Sequence, residues 1–298
     1  MSATGRDAPT CLGPLPIGRR TRRALPAGSC DCHAHVFGPV ADFPYGEARF
    51  YTPPEAPVAS YLATLDALGL DRAVLVAASV YGTDNDCLVA ALAAAPHRLR
   101  GIVSLDRHRL QDVPFEALTR AGVRGVRVNA ADAAFLAADL RRYGEALTGT
   151  GWHIDLQVRD TAQVAALEAD IRKAGVPLLV EAMGKMRAMQ PLDDPGFRAL
   201  GRLLADAVAW VKLSHVYKLS ATGIPYADLE PIVRALVDAN PSRAVWGSDW
   251  PHPITAPMPH DEDLVDLVFD WFDDDARLRA VMVDNPARLY DFDPVPPR

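Results

Sequence analysis

The sequence predicts an α/β protein that folds as a single (β/α)8 barrel of the TIM type. Apolar runs of strand length recur along the 298 residues, and eight of them can be counted. A segment with helical spacing follows each run, which is the pattern of a parallel sheet covered by helices. No G-x-G-x-x-G fingerprint follows the first run, so a doubly wound open sheet is the weaker alternative.

Strands are predicted where a run of apolar residues is too short for a helix and is bounded by turn residues. The run 72–78, for example, is almost wholly apolar and passes into the polar turn 79–85. The first strand begins at residue 29, and the others are expected at 72–78, 99–106, 123–130, 153–158, 177–183, 210–215 and 243–249.

Helices are predicted where apolar residues recur at every third or fourth position. The first, 58–70, ends near Gly69, a residue type that commonly closes a helix. Before it lies a long aromatic loop, 39–57, and loops of this length in compact domains are often functional. The full set of predicted helices is 58–70, 86–95, 114–121, 135–148, 161–175, 197–207, 227–239 and 262–283.

Composition and charge limit the classes of function. The chain is 49% hydrophobic, with 31 basic and 38 acidic residues and a net charge of −7. This acidic balance argues against a nucleic-acid partner. No apolar run approaches the roughly 18 residues of a membrane span, and a cytoplasmic location is predicted. The four cysteines, expected to be reduced thiols, are Cys11, Cys30, Cys32 and Cys87.

Residues 1–28 are predicted to form an N-terminal arm, and residues 29–298 the barrel. The arm carries four arginines between 19 and 23 among prolines and glycines, but no apolar core of a secretion signal. It is expected to be flexible or to pack on a neighbouring subunit, which would make the protein a homo-oligomer.

The first strand carries two histidines, His33 and His35, one residue apart. Residues two positions apart on a strand point to the same face, so their imidazoles are expected side by side. Such a pair is half of a metal site or a pair of proton carriers, or else two buried histidines with hydrogen-bond partners. Asp249, at the end of the last strand, places a carboxylate base across the same barrel mouth.

In a (β/α)8 barrel the active site lies at the carboxyl ends of the strands. Side chains just beyond each apolar run are therefore the candidates, and a full ring of polar groups there indicates a binding site. These residues are His33, His35, Ser79, Tyr81, Asp106, Arg127, Asn129, Gln157, Glu181, Ser214, His215, Lys218, Asp249 and His252.

Five stretches spread over most of the chain carry a resemblance to a known family. They are 32–39 (CHAHVFGP), 81–85 (YGTDN), 125–129 (GVRVN), 246–253 (WGSDWPHP) and 285–290 (NPARLY). With these stretches the chain resembles the amidohydrolase superfamily, and within it a branch of lactone-processing enzymes. The resemblance covers about residues 26–292 and implies a barrel-shaped hydrolase that acts on a cyclic ester.

The resemblance also implies roles for individual residues. Asp249 matches the general base that activates water, and His33 and His35 match imidazoles that hold or polarise the lactone carbonyl. Arg127 matches an arginine that binds a substrate carboxylate, which suits a guanidinium because it forms two parallel hydrogen bonds. The other predicted substrate-binding residues are Tyr51, Ser79, Gln157, Glu181, His215, Lys218 and His252.

The chain departs from the family pattern at the sixth strand, where Ala182 replaces an expected histidine. A third imidazole, either a metal ligand or an electrophile, is thereby lost. Gln157 and Ala133 stand where relatives have a tyrosine and a second carboxylate-binding arginine. Either His215 or Glu181 is expected to replace part of the missing function.

No obligatory cofactor is predicted, because the resemblance includes enzymes that work without metal and Ala182 removes a ligand position. The alternative is zinc held by His33, His35 and Asp249, a nitrogen and oxygen ligand set that suits this metal.

The predicted function is hydrolysis of a lactone that bears at least one carboxylate or similar anionic group. The second hypothesis is an isomerase that moves a lactone between hydroxyls of one sugar acid, because residues 216–217 and 225–228 resemble such a relative. The third is a binding protein whose catalytic site is degenerate.

Some polar residues are predicted to be structural. The acidic runs 261–263 and 273–275 are expected to be solvated helix starts, since acidic side chains favour helix N-termini. His153 opens a strand at the opposite end of the barrel, where a stabilising role is expected.

Overall fold

The computed structural model describes residues 8–132, 135–272 and 274–294. Within them, eight strands form one parallel sheet in the order of the chain, which confirms the predicted (β/α)8 fold. The strands are β1 (Cys30–Ala34), β2 (Arg72–Val76), β3 (Leu99–Ser104), β4 (Val123–Asn129), β5 (His153–Gln157), β6 (Leu178–Val180), β7 (Ala209–Leu213) and β8 (Ala244–Trp246).

The barrel closes where the chain after β8 meets β1. The N–H of His35 donates to the carbonyl of Trp250 over 2.7 Å, and the N–H of Asp249 donates to the carbonyl of His33 over 2.8 Å. An isolated parallel bridge between Ala34 and Trp250 continues this contact. The closing hydrogen bonds therefore come from the same residues that were predicted to do the chemistry.

Helices surround the sheet at the predicted places, with one correction and two further helices, 216–219 and 285–290, that were not predicted. The predicted helix 262–283 is wrong as a single element: it divides after Phe272, and the side chain of Asp274 then caps a new helix by accepting the N–H of Arg277. A π-helical turn, Ala280–Asp284, follows. The helices are α1 (Val58–Leu68), α2 (Asp86–Ala94), α3 (Phe115–Arg120), α4 (Ala137–Leu147), α5 (Thr161–Arg172), α6 (Pro195–Ala205), α7 (Val216–Leu219), α8 (Glu230–Ala239), α9 (Asp261–Trp271), α10 (Asp275–Arg279) and α11 (Asn285–Tyr290).

Two apolar cores lie on the two faces of the sheet. The larger fills the space between strands and helices. The smaller contains residues of the strands together with Leu289 and Tyr290 of α11 and the following Phe292. The four cysteines are free thiols, as expected.

Part of the N-terminal arm lies on α9 of the same chain, whereas residues 9–11 pair with Thr52. Arg19 Nη1 donates to Asp266 over 2.7 Å, the N–H of Arg22 donates to the same carboxylate, and the N–H of Gly18 donates to Glu262. Arg19 and Arg22 are about half exposed, so these ion pairs contribute little stability each. The arm's flexibility and any contact with a second subunit stay predictions.

The acidic start of α9 corrects a second prediction. Asp261 and Glu262 are 2% and 3% exposed, so they are not solvated. Glu262 accepts the arm's Gly18 N–H, and Asp261 contacts His252. Among the described residues, no helix is long and apolar enough to span a bilayer. The cytoplasmic location stays a prediction.

Candidate active site

Three imidazoles surround one carboxylate at the carboxyl ends of the strands. His33 Nε2 and His35 Nε2 lie 3.5 and 3.4 Å from Asp249 Oδ1, and His215 Nε2 lies 3.2 Å from Asp249 Oδ2. None of these four side chains is more than 6% exposed. The predicted H-x-H pair and the predicted base are therefore adjacent, and His215 adds an imidazole where Ala182 had removed one.

The Oδ2 atom of Asp249 is held by donors. Tyr217 donates its hydroxyl over 2.5 Å, Lys218 Nζ donates over 3.2 Å, and His215 Nε2 lies at 3.2 Å. Burial acts to raise the pKa of Asp249, but the surrounding His215 and Lys218 more than offset it and hold this pKa well below its ordinary value. The carboxylate is thus ionised at neutral pH.

The Oδ1 atom of Asp249 is different, because it is buried without a well-formed hydrogen bond. His33 Nε2, which faces it, is also buried without one. Polar atoms left unpaired in the interior cost free energy, and they mark places where a missing partner binds. This part of the cluster is therefore set up for water or a substrate oxygen.

The local backbone explains why the two strand ends approach so closely. Asp249 has a left-handed backbone conformation, with φ of 69°. A Cβ atom at Gly247 would lie 2.6 Å from the Cβ and 2.8 Å from the N of His33, so only glycine fits there. The buried Asp31 carboxylate ties the two strand ends together, since it accepts the N–H groups of His33 and Ser248 and the hydroxyl of Ser248.

His33 is oriented by a lysine inside the barrel. Lys212 of β7 is fully buried and donates to Asp155 Oδ2 over 2.6 Å, and its Nζ also lies 3.2 Å from His33 Nδ1. Burial is the main cause that lowers the pKa of His33 well below its ordinary value, and the charge of Lys212 adds to it. Burial raises the pKa of Asp155 to about 6, although Lys212 opposes this.

His35 is oriented by the backbone instead. Its Nδ1 lies 2.8 Å from the carbonyl oxygen of Val76 at the end of β2. A carbonyl oxygen only accepts, so Nδ1 carries the proton and the neutral ring presents an Nε2 lone pair. In the neutral form, His35 Nε2 is therefore an acceptor at this site.

Arg127 lies between the cluster and a surface cavity. Its Nη2 donates to Glu181 Oε2 over 3.0 Å, and its Nη1 donates to the carbonyl of Ala77. Burial acts to lower the pKa of Arg127, but Glu181 outweighs it and raises this pKa. Glu181 is thus committed to Arg127, which leaves His215 as the better replacement for the lost histidine.

The cavity beside Arg127 has a volume of about 380 Å³. It adjoins the buried cluster and does not contain it, so Asp249 is closed to solvent in this structure. Among the predicted site residues, Ser79, Asp106, Arg127, Asn129 and Gln157 line it. Arg107, 26% exposed, lines it as a second cationic side chain. The lining thus offers two guanidinium groups, together with the carboxylates of Asp106, Asp132 and Asp139.

The remaining predicted residues lie around this centre. Tyr51 is buried with its hydroxyl 3.5 Å from Ser79 Oγ, and burial raises its pKa to about 12. His252 is fully buried between Asp261, 2.9 Å from Nε2, and Tyr217, 3.3 Å from Nδ1. His252 therefore contacts Tyr217, which holds Asp249, and does not line the cavity.

Two groups of ligand-type side chains lie close enough to hold a metal ion. They are His33, His215 and Asp249, and His33, Asp155 and Glu181, with candidate ligand atoms within 4.8 Å of one another. Neither group includes His35, which belonged to the predicted zinc set. The position expected for a second arginine, Ala133, lies outside the described residues.

Sequence reasoning missed the polar residues inside the strands. Lys212 and Asp155 stand among apolar neighbours, which made them look like parts of apolar runs. The available signal was the period of two along β5, where His153, Asp155 and Gln157 alternate with apolar residues and therefore share one face. Tyr217 lies in a segment that resembles a relative, but its contact with Asp249 was not predicted. Arg107 and Lys185 had no comparable signal, and burial lowers the pKa of Lys185.

Eight parallel strands with an imidazole and carboxylate cluster at their carboxyl ends define a (β/α)8-barrel enzyme. A family model described as amidohydrolase matches residues 30–292. The chain therefore belongs to the amidohydrolase family.

Curated relatives cover nearly the whole chain. It is 34% identical to a 4-sulfomuconolactone hydrolase of Rhizobium radiobacter, over 97% of this chain and 99% of that one. It is 33% identical to a 2-pyrone-4,6-dicarboxylate hydrolase of Comamonas testosteroni (89% and 91%), and 27% identical to a D-galactarolactone isomerase of Agrobacterium fabrum strain C58 (93% and 96%). An apo crystal structure from Agrobacterium tumefaciens is similar with a TM-score of 0.80 and 26% identity, covering 92% of this chain and all of that one. These relatives support a hydrolase that acts on small lactones.

Proposed function

We propose that this protein hydrolyses a carboxylate-bearing lactone, with Asp249 as the general base. The observation that carries the proposal is the unpaired Oδ1 of Asp249, which faces His33 Nε2 and His35 Nε2 at 3.5 and 3.4 Å. An ionised carboxylate oxygen beside two imidazoles suits a water molecule that is to lose a proton.

The chemistry follows from the donors and acceptors around this oxygen. A water molecule donates one hydrogen to Asp249 Oδ1 and the other to the lone pair of His35 Nε2. As its oxygen attacks the lactone carbonyl, Asp249 takes the proton, and a donor such as His33 stabilises the negative charge on the carbonyl oxygen. The ring C–O bond then breaks, and the proton passes from Asp249 to the departing oxygen.

The Oδ2 donors keep Asp249 ionised, but they also make it a weaker base. Tyr217, Lys218 and His215 all stabilise the carboxylate form. The barrier must therefore be lowered further by positioning of the water and by charge stabilisation at the carbonyl. His252 supports this arrangement through its contact with Tyr217.

The cavity supports a substrate with more than one anionic group. Arg127 is the proposed anchor for a carboxylate beside the reacting ring, and Arg107 is the proposed anchor for a second anion. Glu181 compensates part of the charge of Arg127, and Asp139 lies 3.8 Å from Arg107 Nε. Because Asp106, Asp132 and Asp139 also line the cavity, an anion would be held by the directional hydrogen bonds of the two guanidinium groups and not by an overall positive charge.

No step of this mechanism passes through a metal ion. In the group His33, Asp155 and Glu181, the ammonium of Lys212 already contacts the first two members. In the group that includes Asp249, the His33 atom nearest to the carboxylate is Nε2. Lys212 donates to the opposite ring nitrogen, so Nε2 carries the proton and offers no lone pair to zinc.

The alternative is a lactone isomerase, in which a substrate hydroxyl replaces water as the nucleophile. It keeps the same base, and it is favoured by one relative's activity and by the contact of Tyr217, within the segment that resembles that enzyme, with Asp249. A binding protein without turnover is the third reading.

The test is a screen of mono- and dianionic lactones, with products identified by NMR. We expect ring opening, and we expect Asp249→Asn to lower kcat by about 10³-fold while KM changes less than about threefold. Asp206→Asn, which changes an exposed carboxylate after α6, is the matched control. Ring migration would establish the isomerase, and tight binding without conversion would establish the binding protein.

A further inference from the structure

We infer that Lys212 sets the tautomer of His33 and thereby makes His33 a hydrogen-bond donor in the active site and not a metal ligand. The donor role toward a lactone carbonyl rests on the proposed function. The tautomer of His33 and its consequence for metal binding are independent of the proposed function. Lys212 is thus a positioning residue, since it acts through His33 and touches no reacting atom.

The ammonium group of Lys212 uses its N–H donors on two neighbouring side chains. An ammonium group has three N–H donors and no acceptor. One donor is used on Asp155 Oδ2 at 2.6 Å, a length typical of a charge-assisted hydrogen bond. The side chains of both residues are fully buried, so water does not compete for this contact. A second donor is directed at His33 Nδ1, 3.2 Å away.

The hydrogen bond from Lys212 determines which ring nitrogen of His33 carries the proton. Because Lys212 donates, Nδ1 must present its lone pair, and the neutral ring must carry its proton on Nε2. His33 Nε2 lies 3.5 Å from Asp249 Oδ1, at the place proposed for water and the lactone carbonyl. A metal ion at the same place would need the Nε2 lone pair, which this tautomer does not have.

The opposite tautomer also has an acceptor within reach. Glu181 Oε1 is buried without a hydrogen bond and lies 3.9 Å from His33 Nδ1, beyond hydrogen-bonding distance but close enough for a small shift. If Lys212 were absent, Nδ1–H could donate to Glu181, and Nε2 would be free to bind a metal. A metal-binding histidine usually donates its other N–H to a carboxylate in this way.

Lys212 therefore differs from a lysine that only stabilises the barrel. A purely structural ion pair with Asp155 would leave the tautomer of His33 and the affinity for zinc unchanged when it is replaced. A tautomer-setting lysine would change both. The two H-x-H histidines then have opposite roles, because His33 donates through Nε2 whereas His35 accepts through Nε2.

The test is nitrogen-15 NMR of the histidine rings in the full-length protein, with His33 assigned from a His33→Gln variant. We expect wild-type His33 to carry its proton on Nε2 and His35 to carry its proton on Nδ1. A wild-type His33 with the proton on Nδ1 would overturn the inference whatever the variants do.

The variant is Lys212→Met combined with Asp155→Leu. Removing Lys212 alone would leave a buried carboxylate unpaired, whereas apolar replacement of a whole buried ion pair is commonly tolerated. We expect the proton of His33 to move to Nδ1 and that of His35 to stay in place. Lys173→Met, at an exposed lysine after α5, is the control.

Zinc alone is the metal probe, with affinity measured by competition against a chromophoric chelator. We expect the double variant to bind zinc at least about tenfold more tightly than the wild type. On a confirmed lactone, kcat should fall about 10²-fold with KM nearly unchanged. Unchanged tautomer and zinc affinity would refute the inference. If the tautomer and zinc results hold but no lactone is opened by the wild type, only the proposed function fails.

Discussion

At the scale of single residues, the site depends on which atom of each side chain faces the centre. The two carboxylate oxygens of Asp249 have different surroundings. Oδ2 accepts hydrogen bonds from Tyr217 and Lys218, whereas Oδ1 is buried without a hydrogen bond. His33 and His35 are distinguished in the same way by what binds their Nδ1 atoms. In the proposed mechanism, the role of each group thus follows from the hydrogen bonds on its far side.

The pairing of Arg127 with Glu181 leads to a prediction at this scale. Replacing Arg127 alone would leave Glu181 buried and unpaired, so we choose Arg127→Met with Glu181→Gln. KM for an anionic lactone should rise about 10- to 100-fold, because a charged hydrogen bond in the bound state is lost. Steady-state kinetics on the confirmed substrate measures this change, and kcat should change little.

Glu181→Gln alone is the matched comparison. It removes the charge that partly compensates Arg127, so KM should fall by about threefold as the guanidinium becomes freer to bind the substrate anion. If KM instead rose as much in Glu181→Gln as in the double variant, the anchor would be Glu181 and the assignment of Arg127 would be wrong.

At the scale of elements, the junction of β8 with β1 brings the reactive groups together. The chain after β8 donates the Asp249 N–H to the carbonyl of His33, and Gly247 allows the two backbones to approach. Asp31 holds the same junction from below with hydrogen bonds to both strand ends. The contact that closes the barrel therefore also positions Asp249 against the imidazoles.

Gly247→Ala tests this junction. Its Cβ would lie 2.6 Å from the Cβ of His33, so either His33 or the chain after β8 must move. We expect the free energy of unfolding to fall by about 1–3 kcal/mol and kcat to fall with it. Chemical denaturation and kinetics on the same preparation measure both quantities.

Gly201→Ala in α6 is the control, because a Cβ there meets no atom within 4 Å. Alanine is favoured over glycine inside a helix, so this variant should be about 0.5–1 kcal/mol more stable and fully active. Equal stability of the two variants would show that close packing at Gly247 is not what excludes a side chain.

At the scale of the whole molecule, the barrel carries buried polar groups along its length. His153 lies at the amino end of β5, Asp155 and Lys212 lie in the middle, and Asp249 lies at the carboxyl end. Each polar group costs free energy on burial unless a partner offsets it. We infer that this interior is kept polar for function and reduces the stability of the fold.

His153 gives a prediction about acid stability. Burial lowers its pKa to about 3, and the charge of Lys212 acts in the same direction. Above about pH 6.5 the ring is neutral in both the folded and the unfolded state, so it contributes nothing. As the pH falls from 6.5 toward 3, the unfolded chain takes up a proton that the folded one does not, and stability is lost.

The measurement compares the wild type with His153→Phe, which keeps a ring against Tyr290. Between pH 7 and pH 4.5 the wild type should lose about 3 kcal/mol more free energy of unfolding than the variant. Between pH 7 and pH 8 the difference between the two proteins should stay constant. Parallel losses down to pH 4.5 would contradict a depressed pKa at His153.

The sequence alone was sufficient for the barrel and for part of the site. Strand-length apolar runs alternating with helical segments determine the order of elements, because each pattern matches one backbone period. Where side chains follow strands in a parallel barrel, the fold brings them to one mouth, so His33, His35 and Asp249 were predictable as neighbours. The break in the predicted helix 262–283 was not predictable, because the whole segment has helical spacing. The chain leaves the helix at Phe272, and Asp274 then caps the start of a new one.

Only the tertiary structure decided the partners and the burial of those residues. The proton position on His33 depends on Lys212, 179 residues away, and the charge available at Arg127 depends on Glu181, 54 residues away. The burial of Asp261 against His252 likewise depends on how α9 packs. Sequence patterns report local periodicity and family likeness, whereas tautomer, pairing and burial are set by contacts between strands that are distant in the chain.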